Sequence, residues 1–169
     1  MGMQLIETIE VGAGGAASIE FTGIPQDGVD LVLVTSLRNG DAAYVGSIKY
    51  QFNSDTGLNY SWVYLRGNGA APITDDDDSD TEIDSVVVGA TATSNTFSND
   101  SLYISNYSSA TSKSISLDSV TEDNATNAVQ EIRAANFATT VGITSLLVGI
   151  FGANFVQYST ASLYKITAD

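Results

Sequence analysis

The sequence predicts an all-β protein, an antiparallel β-sandwich or jelly roll of about ten short strands. Three observations carry this expectation. Hydrophobic residues alternate with a period of two almost throughout, which puts apolar side chains on one face of an extended chain. Turn residues interrupt the pattern at intervals of roughly eight to twelve residues. Both prolines, Pro25 and Pro72, fall between the alternating segments, where a missing N–H does no harm to a sheet. At 169 residues, positions 1–169 are read as one domain with a sizeable core.

The elements follow in order. Leu5 to Val11 alternates and is stopped by Gly12-Ala13-Gly14-Gly15. Ser18 to Phe21 is short, with Ile19 and Phe21 on one face. Asp30 to Leu37 is apolar on both faces in its first half, as expected of a central, doubly covered strand. Tyr44 to Asn53 places Tyr44, Gly46, Ile48, Tyr50 and Phe52 on one side. The stretch from Leu58 to Leu65 holds the only tryptophan. Leu58, Tyr60, Trp62 and Tyr64 point one way; Asn59, Ser61, Val63 and Leu65 point the other. Tyr60, Trp62 and Tyr64 are therefore the expected core anchor, since aromatics bury the largest area per residue. A hairpin with the preceding strand is expected, aromatic face on aromatic face.

Gly67 to Thr81 reads as a long loop, followed by a short strand from Ile83 to Val88. Thr96 to Ser105 is a strand, then Tyr107 to Ser112 a loop in which Tyr107 is the aromatic expected to be exposed. Lys113 to Val120 alternates cleanly. Ala125 to Ala138 contains good helix formers, but a strand fits its surroundings better. Ile143 to Phe151 and Phe155 to Ile166 complete the set.

Composition excludes several functions. Twenty acids face six bases, a net charge of −14. That disfavours nucleic acid, whose phosphates demand Lys and Arg, and an anionic membrane surface. There is no cysteine and no histidine, which removes disulfides, thiolate and histidine metal sites and histidine-based triads. No apolar run is long enough to span a membrane, and no secretory signal is expected from Met1-Gly2-Met3-Gln4.

Chemistry is sparse. Asp75, Asp76, Asp77 and Asp78 form an acidic run that a hard cation such as Ca²⁺ would relieve; the spacing is not that of an EF-hand loop, and a solvated loop is the competing reading. Glu82, Asp118, Glu122 and Glu131 are carboxylates for glycoside hydrolysis, without a spacing that singles any of them out. Tyr44, Tyr50, Tyr60, Trp62, Tyr64, Tyr103 and Tyr107 offer either a sugar platform or core packing, with core packing the ordinary use. No enzymatic activity and no cofactor beyond a possible Ca²⁺ ion is expected. The many Ser, Thr, Asn, Ala and Gly residues, with few Lys, suit tight subunit packing.

Five blocks in order, IETIEVGAGGAASIEFTGIPQ, DLVLVTSLR, NYSWVYLRGNG, TSNTFSNDSLYISNYSSATSKSISLDSV and QYSTASLYKI, resemble a group of small virion structural proteins of marine and cyanobacterial tailed phages. The resemblance spans Ile6 to Ile166. It implies a jelly-roll domain, frequent trimerisation and no catalytic residues. It further implies one of two roles. The first is a capsid decoration (cement) protein bound to the major capsid protein on the outer face of the head, which the early first strand and the acidic, Lys-poor composition favour. The second is a tail or fibre-tip protein that recognises a host surface glycan. The expected trimer contact is the loop around Tyr107 with the last strand.

Overall fold

A computed structural model describes residues 2–168. It contains twelve strands and no helix: β1 Gly2–Glu10, β2 Ser18–Thr22, β3 Asp30–Leu37, β4 Val45–Phe52, β5 Tyr60–Gly67, β6 Ile73–Asp80, β7 Ile83–Val88, β8 Ser98–Ile104, β9 Lys113–Glu122, β10 Ala128–Phe137, β11 Ser145–Ile150 and β12 Thr160–Thr167. An eight-stranded sheet runs β1-β12-β3-β8-β9-β10-β5-β6, and a four-stranded sheet runs β2-β11-β4-β7. All pairings between these strands are antiparallel, and the two sheets pack as a β-sandwich.

The chain alternates between the sheets for its first four strands, and again from β6 through β7 to β8. The hairpins β5–β6 and β9–β10 extend the large sheet beyond β8. Without them, two facing layers of four remain, β1-β12-β3-β8 and β2-β11-β4-β7. Alternation decides the faces: Leu102, Ile104, Ile115 and Leu117 are buried from the large sheet, Ile48, Tyr50, Phe52, Leu146 and Val148 from the small one. The Ala125–Ala138 segment is a strand, because Val129, Ala135 and Phe137 share a buried face at period two.

Three local expectations are corrected. The Gly67–Thr81 loop contains β6, an edge strand paired only with β5. Aspartates are poor strand formers, yet an edge needs only one backbone partner and its outer rim tolerates charge. Second, β4 and β5 do not form a hairpin. β4 pairs with β11 and β7, whereas β5 pairs with β10 and β6. The connection crosses from one layer to the other, through Asn53 (φ 55°) and Ser54 (φ 54°). The Asn53 Oδ1 atom fixes this corner by accepting the Thr144 and Ser145 N–H groups at 2.7 and 3.2 Å. The aromatic faces therefore meet between layers.

Third, Tyr107 is fully buried. Its loop folds over one end of the sandwich: the Tyr107 N–H donates to Val29 O at 3.2 Å and Ile143 N–H to Tyr107 O at 2.9 Å. Its hydroxyl donates to Pro25 O and accepts the Gly28 N–H. A phenol with both hydrogen-bonding roles filled inside the protein is an end cap of the sandwich, not an exposed aromatic.

Candidate functional site

The aspartate run is split by strand geometry. Successive side chains leave a strand on opposite faces. Asp75 and Asp77 stand opposite Tyr64 and Trp62, while Asp76 stands opposite Val63. A register shift between Tyr60 and Trp62 is a β-bulge in β6, and it turns Asp80 to the same side as Asp77. Asp80 Oδ2 there accepts the Trp62 indole N–H at 3.0 Å. Among the described residues no three Asp or Glu side chains converge on a cation position. The residues expected to bind Ca²⁺ are a charged edge.

The carboxylates considered for hydrolysis are also separated. Glu131 is wholly buried beneath β5 and β10, bound by Arg66 at 2.6 Å and Arg133 at 2.8 Å. Glu82 accepts from Gln51 and faces Lys49 at 3.6 Å. Asp118 and Glu122 project from the opposite, exposed side of β9.

Of the three aromatics expected as anchor, Tyr60 lies in the core, with ring centroids 4.8 Å from Phe137 and 6.0 Å from Phe52. Trp62 and Tyr64 are half-buried where the small sheet no longer covers β5. They stack on each other at 5.8 Å, and the Arg133 guanidinium lies over both rings at 4.2 and 4.8 Å. Arg66 covers Tyr64 at 4.7 Å. These planar cations close the layer that apolar side chains leave open. Nearby, burial pushes the Asp84 carboxyl up to about 6 against the opposing pull of Arg133. Asp100 sits deeper, accepting the Tyr50 and Ser119 hydroxyls; burial raises it to about 6, with those hydrogen bonds opposing. Both clusters join strands of one layer to the other. Of the remaining aromatics in the sugar-platform set, Tyr50 is buried, and the exposed Tyr44 and Tyr103 lie apart, before β4 and on β8.

The feature that is open is the outer face of the large sheet. Register places Val63 beside Ala134 and Leu65 beside Ile132. Ala134 and Ile132 neighbour Ser116 and Asp118 of β9, which neighbour Tyr103 and Ser101 of β8. These residues line a shallow trough of about 720 Å³. Val63, Leu65 and Ile132 are 51%, 47% and 50% exposed, and Val34 on β3 extends the apolar surface on one side. An aliphatic patch of this extent on a sheet is unusual for a surface that meets only water. Sequence reasoning missed it, although a signal was present. β5 is apolar on both faces, a pattern ordinarily meaning cover on both sides, and here one side has none.

Charge around the trough is of one sign. All six basic side chains are engaged within the chain. Arg38 donates to the carbonyls of Ala90, Ala92, Thr93 and Thr96. Lys113 donates to those of Ser109 and Thr111. Lys49, Arg66, Arg133 and Lys165 pair with Glu82, Glu131, Glu131 and Asp27. None projects from the outer face, where Asp76 and Asp118 border the apolar residues and Asp30 accepts the Tyr103 hydroxyl at 2.5 Å.

Compared with known proteins, the chain matches no family model, no curated protein and no solved structure.

Proposed function

We propose that this is a phage virion structural protein, a capsid decoration protein that docks on the outer face of the head and stabilises the shell by burying surface rather than by chemistry. The observation that carries the docking mode is the exposed aliphatic face formed by Val63, Leu65, Ile132 and Ala134. The winding of the chain, with two facing layers of four and two appended hairpins, supports a jelly-roll reading. A surface of aliphatic side chains favours a protein partner. Glycan recognition, the basis of the tail-tip role, relies on exposed aromatic faces; of the two tyrosines lining this trough, Tyr64 is stacked on Trp62 and covered by Arg66 and Arg133, which leaves Tyr103.

Particle location tests the reading. Hundreds of copies per particle, measured by stained gel against the major capsid protein, is the expected result. A few copies confined to the tail, with binding to a glycan array, would support the adhesin role instead and overturn the decoration role.

A further inference from the structure

Resting on the docking role just proposed, we infer the chemistry of what covers the outer face of β8, β9, β10 and β5: a protein surface with an aliphatic centre and a margin rich in lysine and arginine, carried on a chain other than this one. Three arguments lead there.

The first is extent. The four strands β8, β9, β10 and β5, spaced about 4.8 Å apart and seven to ten residues long, give a face of about 550 Å². That is of the order of the ~800 Å² one partner contributes to a stable interface. The second is chemistry. Val63, Leu65, Ile132 and Ala134 form two adjacent cross-strand pairs, so the centre of the face gains only from an apolar counterpart. The third is charge. Asp76, Asp118 and Asp30 border or flank this centre, and every basic side chain of the chain is occupied elsewhere. A second copy on the same face would set carboxylate against carboxylate with no cation to answer them, which costs affinity and slows encounter. Nucleic acid and anionic membrane fail for the same reason. A cationic margin satisfies all three observations.

A defined probe tests this without a virion. Two short peptides are titrated into the full-length protein, one of alternating valine and lysine, the other of alternating valine and glutamate. Methyl resonances are followed by NMR. The expected result is that the valine–lysine peptide shifts the methyls of Val63, Leu65 and Ile132, leaves those of the core residue Ile48 unmoved, and weakens at least tenfold from about 50 to about 500 mM salt. The valine–glutamate peptide has no effect. Ile132→Asp removes the response, and because Ile132 is half-exposed the variant folds, as its melting curve verifies. Ala134→Asp repeats the test on the neighbouring strand. Glu20→Lys, on β2 of the other sheet, responds as the parent does. Equal response to both peptides, no response to either, or an unchanged response in Ile132→Asp overturns the inference. Co-sedimentation with heads assembled without the protein then addresses the decoration role separately. A peptide response with no binding to heads leaves the chemistry of the face standing and removes the role proposed for it.

Discussion

Phe52 and Tyr60 are eight positions apart, belong to different sheets, and meet face to face across the sandwich. Their ring centroids are 6.0 Å apart, and the Tyr60 hydroxyl accepts the Phe52 N–H at 2.9 Å. With Asn53, the Tyr60 side chain closes the corner from β4 to β5, acting at once as a core aromatic and as a backbone partner. Tyr60→Ala is expected to cost about 3–5 kcal/mol, the range for a buried aromatic. Tyr60→Phe keeps the ring but leaves a buried N–H unpaired, at about 1–3 kcal/mol. Urea denaturation of both variants checks the pair. A Tyr60→Phe variant as stable as the parent would show that the hydroxyl does not hold the corner.

Trp62 is expected to matter less than Tyr60, despite being the only tryptophan. It is half-buried and capped by Arg133 at 4.2 Å, so Trp62→Ala should cost about 2 kcal/mol. Arg133→Met should cost more, about 3 kcal/mol. It deprives the buried Glu131 of one of two cations, and breaking a buried pair exposes the partner to the full desolvation penalty. Thermal melts of both single variants give the order directly.

The fold was largely legible in the sequence, and the site was not. Period-two alternation located β2, β3, β7, β8, β9 and β10 because each has one buried and one exposed face, or lies wholly inside. β6 was hidden because an edge strand of aspartates carries no hydrophobic pattern; its pairing comes from the backbone and from the preceding strand. The β4–β5 relation was misread because a short polar connection between two aromatic strands looks the same whether it makes a hairpin or a crossover. Tyr107 was misread because loop composition says nothing of an end cap. Val63, Leu65 and Ile132 sat in plain view, but whether an apolar strand face is covered depends on which strands the other sheet supplies.

Acidity should stabilise this protein down to a limit. Asp84 and Asp100 are raised to about 6 by burial, so between the ordinary carboxylate range and pH 6 the folded state holds more protons than the unfolded state. Stability therefore falls as pH rises through that window. For Asp100, fully buried, the effect is on the order of 3 kcal/mol; for the more exposed Asp84 it is smaller. Asp27, lowered by the Lys165 ammonium, and Asp123, lowered by the Asn127 side chain, act oppositely and lose their contribution as pH falls below about 4. The urea midpoint should be highest near about pH 4, where the two sets of carboxyls cross, and fall from there through pH 5 to pH 7.5, with Asp100→Asn flattening the fall. A midpoint that rises from pH 5 to pH 7.5 would contradict the assignment.

The acidic strand β6 should act as a guard against edge pairing. Its free edge carries Asp75 to Asp78 and the bulge, both devices that discourage strand addition. Replacing Asp76 and Asp78 with threonine and Asp75 and Asp77 with valine should give concentration-dependent association by sedimentation velocity, where the parent shows none through this edge. Millimolar Ca²⁺ should leave the parent's melting temperature unchanged, because alternate carboxylates diverge. A rise in melting temperature that Asp76→Asn abolishes would restore the metal reading.

The proposed role is a coat on a phage head, docked through the outer face of the large sheet. Cryo-EM of the particle tests it most directly. The account predicts density for the protein over the head lattice, with Val63, Leu65 and Ile132 turned towards the shell and basic side chains of the capsid protein facing Asp76 and Asp118. Density only at the tail tip, or on the head with this face open to solvent, would contradict it.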